Sequence, residues 1–121
     1  MRHKLAGKQL GRPTDQRMAL LRGLVSALFW HGKVDTTATR AKVARAMAEK
    51  LITLAREDTN HHRREARKFL NDRYLVAHLF LKVAPQYRAR SGGYARIIRT
   101  GVRRGDAAPT ARLELVDYER S

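Results

Sequence analysis

Lysine and arginine outnumber aspartate and glutamate by 26 to 11 on a chain of 121 residues, a formal net charge of +15 with histidine neutral. A compact body of this length has a radius of gyration of roughly 14 Å. Like charges so close together repel and work against the compact state. The sequence therefore asks for a polyanion that supplies the missing negative charge, with nucleic acid first, an anionic membrane second and an acidic protein third. Arginine outnumbers lysine by 19 to 7. A guanidinium forks onto phosphate and stacks on bases, which favours specific docking on nucleic acid. Hydrophobic residues, at 43%, are enough for one modest core. Cysteine is absent, which excludes disulfide frameworks, thiolate zinc sites and cysteine nucleophiles.

The start of the chain reads as an irregular basic arm over residues 1–13. Arg2, Lys4, Lys8 and Arg12 stand there among Gly7, Gly11 and Pro13 with no acidic residue and no apolar period. Fully extended it reaches at most about 40 Å. There is no apolar segment of signal-peptide type in it, and the uncharged stretch 23–32 is far shorter than the roughly 20 residues of a membrane span. The expectation is a soluble protein.

A first helix is expected from Thr14, with Asp15 in its first turn, Met18, Leu21, Leu24, Val25, Leu28 and Phe29 as its apolar stripe, and His31-Gly32 as its stop. Arg17 and Arg22 fall off that stripe. Residues 33–36 form a short extended candidate. Thr36 and Thr37 offer caps for a second helix that packs through Ala44, Met47, Ala48, Leu51, Leu54 and Ala55. A third, very basic helix starts at Asn60. Asn71-Asp72 reads as a break and a new cap, and a fourth helix runs through Leu75, Val76, Leu79, Phe80 and Val83 until Pro85 ends it. Ser91-Gly92-Gly93 signals a turn. Strands are expected over 94–100 and 110–117, joined by a long loop, with 33–36 a candidate third strand.

Catalytic motifs are missing: there is no phosphate-binding glycine loop, no H-E-x-x-H and no nucleophile elbow. His61 and His62 are adjacent, so on a helix they do not face one another, and a metal site is not expected there. His78 reads as a satisfied, partly buried histidine, and Trp30 as core packing beside Phe29. Arg104-Gly105-Asp106 spells an adhesion tripeptide but reads as turn chemistry. Glu49, Glu57, Asp58, Glu65 and Asp72 are read as surface ion-pair partners, not an acid–base couple.

Three basic clusters remain as candidate contacts. The first is the arm, continuing into Arg17 and Arg22. The second is Arg63, Arg64, Arg67, Lys68 and Arg73. The third is Arg88, Arg90, Arg96, Arg99, Arg103 and Arg104, with Gly92, Gly93 and Tyr94 among them. Glycine lets a backbone approach phosphate closely, and arginine contacts phosphate or stacks on splayed bases.

The opening Met1-Arg2-His3-Lys4 with Leu10-Gly11-Arg12 resembles the start of the bacterial large-subunit ribosomal protein L-seventeen family. So do Thr36-Thr37, the run Leu51-Ile52-Thr53-Leu54-Ala55, and Arg90-Ser91-Gly92-Gly93-Tyr94-Ala95-Arg96-Ile97. Arg104-Gly105-Asp106-Ala107-Ala108-Pro109 followed by Leu113-Glu114-Leu115-Val116 completes the likeness, which runs in order along nearly the whole chain. The resemblance implies an α/β (α+β) fold of about four helices on a small mixed sheet of about three short strands. It implies a structural role on large-subunit ribosomal RNA near the outer end of the peptide exit tunnel, beside other ribosomal proteins, in the cytoplasm. Carried over residue by residue, it is strongest at Arg2, His3, Lys4, Arg12, Arg90, Gly92, Gly93, Tyr94, Arg96 and Arg104.

The expected organisation is an RNA-binding arm over 1–13, a single globular domain over 14–117 and a short tail over 118–121. The expected RNA contacts are Arg2, His3, Lys4, Lys8, Arg12, Arg17, Arg22, Arg63, Arg64, Arg67, Arg90, Gly92, Gly93, Tyr94, Arg96, Arg99, Arg103 and Arg104. No catalytic residue, metal, cofactor, membrane or small-molecule substrate is expected. A DNA-compacting protein is the alternative reading, and a basic nucleic-acid enzyme lacks the carboxylate or histidine cluster it would need.

Overall fold

The computed structural model describes residues 14–119, so the expectations for the arm, including Arg2, His3, Lys4, Lys8 and Arg12, lie outside the described residues. Helix α1 spans Thr14–His31 and buries Leu21, Val25, Leu28 and Phe29. It stops at Gly32, whose N–H donates to the Leu28 carbonyl at 2.7 Å and whose φ is +83°. Two demands meet at Gly32. The left-handed backbone favours glycine, and a Cβ there would stand 2.8 Å from Cδ2 of Tyr118.

Strand β1 (Lys33–Thr37) leads directly into helix α2 (Ala38–Ala55), and the Thr37 hydroxyl caps α2 by accepting from the Arg40 N–H. The inner face of α2 is alanine-rich, burying Ala38, Ala41, Ala44, Ala48 and Ala55 beside Leu51 and Ile52. Small side chains let a helix axis approach its neighbours closely, and α2 packs against α1 and all three strands. Thr59 then caps helix α3 (Asn60–Leu70), which ends at Asn71 in the left-handed conformation, φ 60°. Asp72 accepts from the N–H groups of Tyr74 and Leu75 to start helix α4 (Arg73–His78).

Pro85 does not end this segment as the sequence predicts. The chain passes through a π-helical turn, Leu79–Val83, into a 3-10 turn, Ala84–Tyr87, with the proline in its first positions. Proline lacks an N–H and its ring clashes with the carbonyl four residues back. Changing the hydrogen-bond register around it removes that conflict and keeps Val83, Ala84 and Tyr87 in the core.

Strand β2 (Ala95–Val102) and strand β3 (Pro109–Leu115) form the expected hairpin, and β1 joins it in the order β1-β3-β2. Both pairings are antiparallel, where the family resemblance implies a mixed sheet. β2 extends past its expected end at Thr100 because a bulge between Arg99 and Gly101 absorbs the glycine that reads as a loop residue. Val34, Leu113 and Ile97 pair across the sheet on its helix side. Tyr118 packs on the core, and the Glu119 N–H donates to Gln86 Oε1 at 2.9 Å, so both residues are tied to the body.

Candidate nucleic-acid interface

The described part of the first cluster turns inward. Arg17 is only 6% exposed. Arg22 donates from Nε to the Phe69 carbonyl at 2.6 Å, with its guanidinium 5.5 Å from the Phe69 ring centre. These two arginines sit on the packed side of α1, and Arg22 ties that helix to α3. The apolar stripe misses this because the partner of Arg22 lies 47 residues away.

In the second cluster the arginines divide by partner. Arg63 forks onto Asp58 at 2.7 and 2.8 Å, and its guanidinium lies 5.3 Å from the Phe80 ring centre. That guanidinium holds the Asp58 carboxyl below its ordinary pKa. Lys68 pairs with Glu65 at 3.0 Å. Arg64 and Arg67 are exposed and make no ion pair among the described residues. Arg73 joins them around a cleft of about 230 Å³.

The third cluster divides in the same way. Arg96 pairs with Glu114 at 2.6 Å across the β2–β3 ladder. Arg103 pairs with Asp106 at 2.6 Å inside the hairpin loop. Asp106 also accepts from the Ala108 N–H, and Gly105 has φ +93°, so the adhesion-like tripeptide is turn chemistry. Arg90 donates to the Gly93 carbonyl at 3.2 Å and lies 3.5 Å from Asp117. Gly92 and Gly93 are exposed, with open space where a Cβ would stand. Arg88, Arg99 and Arg104 are exposed without an ion pair among the described residues.

Tyr94 is a correction. Its ring is fully buried, 5.5 Å from that of Tyr87, and its hydroxyl oxygen accepts from Arg56 at 2.7 Å and Thr53 at 3.2 Å. A side chain so enclosed anchors the glycine turn to α2 and does not present a face to a ligand. Glu49 supports the same joint by accepting from the Ala95 N–H at 3.3 Å.

Cluster counting also misses the outer face of α2. Lys42, Arg45 and Lys50 are exposed along it, and Arg40 is half-buried at its start. The signal is present in the sequence, since no acidic residue falls between Asp35 and Glu49. The spacing of these cations by helical turns hides it from a search for contiguous runs.

Trp30 is a second correction. It is 38% exposed and stacks on His78 with ring centres 4.7 Å apart, instead of entering the core with Phe29. The His78 ring is held by the Phe29 carbonyl at 2.8 Å, as a satisfied histidine would be. Asp58 and Glu65 form surface ion pairs as expected, whereas Asp72 is a helix cap and Glu49 a backbone acceptor. Among the described residues no group of His, Asp and Glu is arranged to hold a metal ion, and no helix is long and apolar enough to cross a membrane.

A small basic α+β protein, with exposed arginines on α3 and the hairpin and further cations along α2, is the class these features define. The sequence model of the family described as Ribosomal protein L17 matches residues 20–116. Among similar proteins, "Large ribosomal subunit protein bL17" of Dictyoglomus thermophilum is 53% identical over 116 residues, covering 96% of this chain and 100% of that protein. The protein of the same name from Dictyoglomus turgidum is 51% identical over the same shares of both chains. That of Clostridium botulinum (strain Hall) is 51% identical over 109 residues, 90% of this chain and 96% of its own. The chain belongs to the ribosomal protein L17 family, which is a family of structural ribosomal proteins and not of enzymes.

Proposed function

We propose that this protein is a structural constituent of the large ribosomal subunit that binds and stabilises large-subunit ribosomal RNA near the peptide exit tunnel, with other large-subunit proteins as neighbours, in the cytoplasm. The observation that carries the RNA reading is the set of exposed arginines without ion pairs among the described residues: Arg45, Arg64, Arg67, Arg73, Arg88, Arg99 and Arg104. They stand on α2, on α3, at the start of α4, just after the 3-10 turn and along the hairpin, while most acids among the described residues are taken up by other cations, helix caps and backbone N–H groups. Phosphates placed around such a body relieve its self-repulsion, and counterion release drives the association. Arg2, His3, Lys4, Lys8 and Arg12 of the arm add contacts in this reading, as do Gly92 and Gly93 through backbone approach. Arg63, Arg90, Arg96 and Arg103 contribute while already paired, as second donors to phosphate.

Competition binding tests the reading. Labelled large-subunit ribosomal RNA bound to the full chain is expected to resist displacement by duplex DNA at equal phosphate concentration. Equal displacement by duplex DNA would support a DNA-compacting protein instead. Removal of residues 1–12 is expected to weaken assembly into large subunits, and normal assembly of that variant would remove the arm from the account.

A further inference from the structure

We propose that the cleft between α3 and the start of α4 is a subsite for one unstacked nucleotide of an RNA chain. Arg64, Arg67 and Arg73 hold its backbone phosphate, and the exposed ring of Tyr74 receives its base. The inference rests on the RNA reading above and narrows it to one place and one ligand chemistry.

The cleft is lined by Asn60, Arg63, Arg64, Arg67, Arg73 and Val76, and no carboxylate is among them. Its positive charge converges from two elements. On α3, Arg63 and Arg67 are four residues apart and Arg64 and Arg67 three apart, spacings at which like charges destabilise a helix. The left-handed Asn71 and the Asp72 cap then redirect the chain so that Arg73 meets the same hollow. Helix electrostatics account for Arg67 near the end of α3 but oppose Arg73 at the start of α4, where the helix dipole disfavours a cation. Asp58 is held by Arg63, Glu65 by Lys68, and Asp72 caps α4, so none of these nearby acids forms an ion pair with Arg64, Arg67 or Arg73. An anion in the cleft removes this repulsion.

Tyr74 makes the site more specific than a phosphate trap. It is 66% exposed, well above the 38% of Trp30, and lies beside Arg73. The Arg73 guanidinium stands 5.1 Å from its ring centre and donates to its hydroxyl at 3.2 Å. A guanidinium has five N–H donors, so this contact leaves others for phosphate. An exposed aromatic ring next to converging arginines is the combination by which proteins hold single strands, with the base stacked and the backbone paired. A-form duplex presents phosphates and 2′-hydroxyls but no free base face.

The test uses the full chain with a single-stranded oligoadenylate and an RNA duplex of the same length. Tyr74→Ala is expected to weaken oligoadenylate binding about tenfold and to leave duplex binding unchanged. Tyr74→Phe, which keeps the ring, is expected to bind both as the parent does. Arg64→Gln with Arg67→Gln and Arg73→Gln is expected to weaken both ligands and to flatten the salt dependence by about one phosphate's worth. Parent-like oligoadenylate binding by Tyr74→Ala, or equal losses on both ligands, would overturn the base site. Parent-like binding by the triple variant would overturn the phosphate site. Failure of the parent to bind either RNA would overturn the RNA reading itself, which separates the two failures.

Discussion

Tyr87 donates its hydroxyl proton to the Val116 carbonyl at 2.7 Å, and its ring is buried against Tyr94. Burial pushes its phenol up to about 12, because the phenolate would lose its hydration. In the unfolded chain a phenol titrates near 10. Between those values the unfolded chain releases a proton that the fold retains, so this contribution is complete below pH 10 and declines as pH rises toward 12. Tyr87→Phe is expected to cost about 1 kcal/mol at neutral pH and to make the alkaline decline shallower than in the parent. Urea unfolding across this alkaline range checks both, and identical pH slopes would contradict the assignment. Asp106 shifts the other way: the Arg103 guanidinium, helped by the Ala108 N–H, holds its carboxyl at about 2. Its contribution is present above the ordinary carboxylate range and is lost as pH falls toward 2. Arg103→Gln is expected to return the Asp106 midpoint toward ordinary values, as carboxyl NMR titration would record.

Element boundaries follow local chemistry closely here. Thr37, Thr59 and Asp72 cap helices, and Gly32 and Asn71 stop them with left-handed backbones. These signals lie within a few residues of their effects, which is why the helices and the hairpin are legible in the sequence. What is not legible depends on distant partners. Arg22 finds the Phe69 carbonyl, Tyr94 finds Arg56 and Thr53, and Trp30 finds His78. Period-counting treats an arginine as a surface residue and a tryptophan as core, and tertiary contacts reverse both. Pro85 shows a third kind of miss, where the chain changes helical register instead of stopping. Gly32→Ala is expected to destabilise by about 1–3 kcal/mol, since it meets both the left-handed backbone and the Tyr118 ring. A denaturant midpoint unchanged from the parent would show that Tyr118 moves aside and that the backbone tolerates alanine.

At the scale of the molecule, the charge is partitioned. Some arginines hold the fold together: Arg22 on Phe69, Arg56 on Tyr94 and Arg112 on Asp35. Others, on α2, α3 and the hairpin, remain exposed and unneutralised. The candidate clusters are therefore partly legible in composition, but which members face outward is decided by packing. Replacing Lys42, Arg45 and Lys50 by glutamine is expected to lower RNA affinity several-fold without lowering the melting temperature, a separation that binding and thermal unfolding on one sample would record. The most direct test is the salt dependence of the full chain's affinity for large-subunit ribosomal RNA. With about eight phosphates engaged, log K against log salt is expected to fall with a slope of roughly −6 to −7. An affinity that stays flat as salt rises would contradict the electrostatic account at its centre.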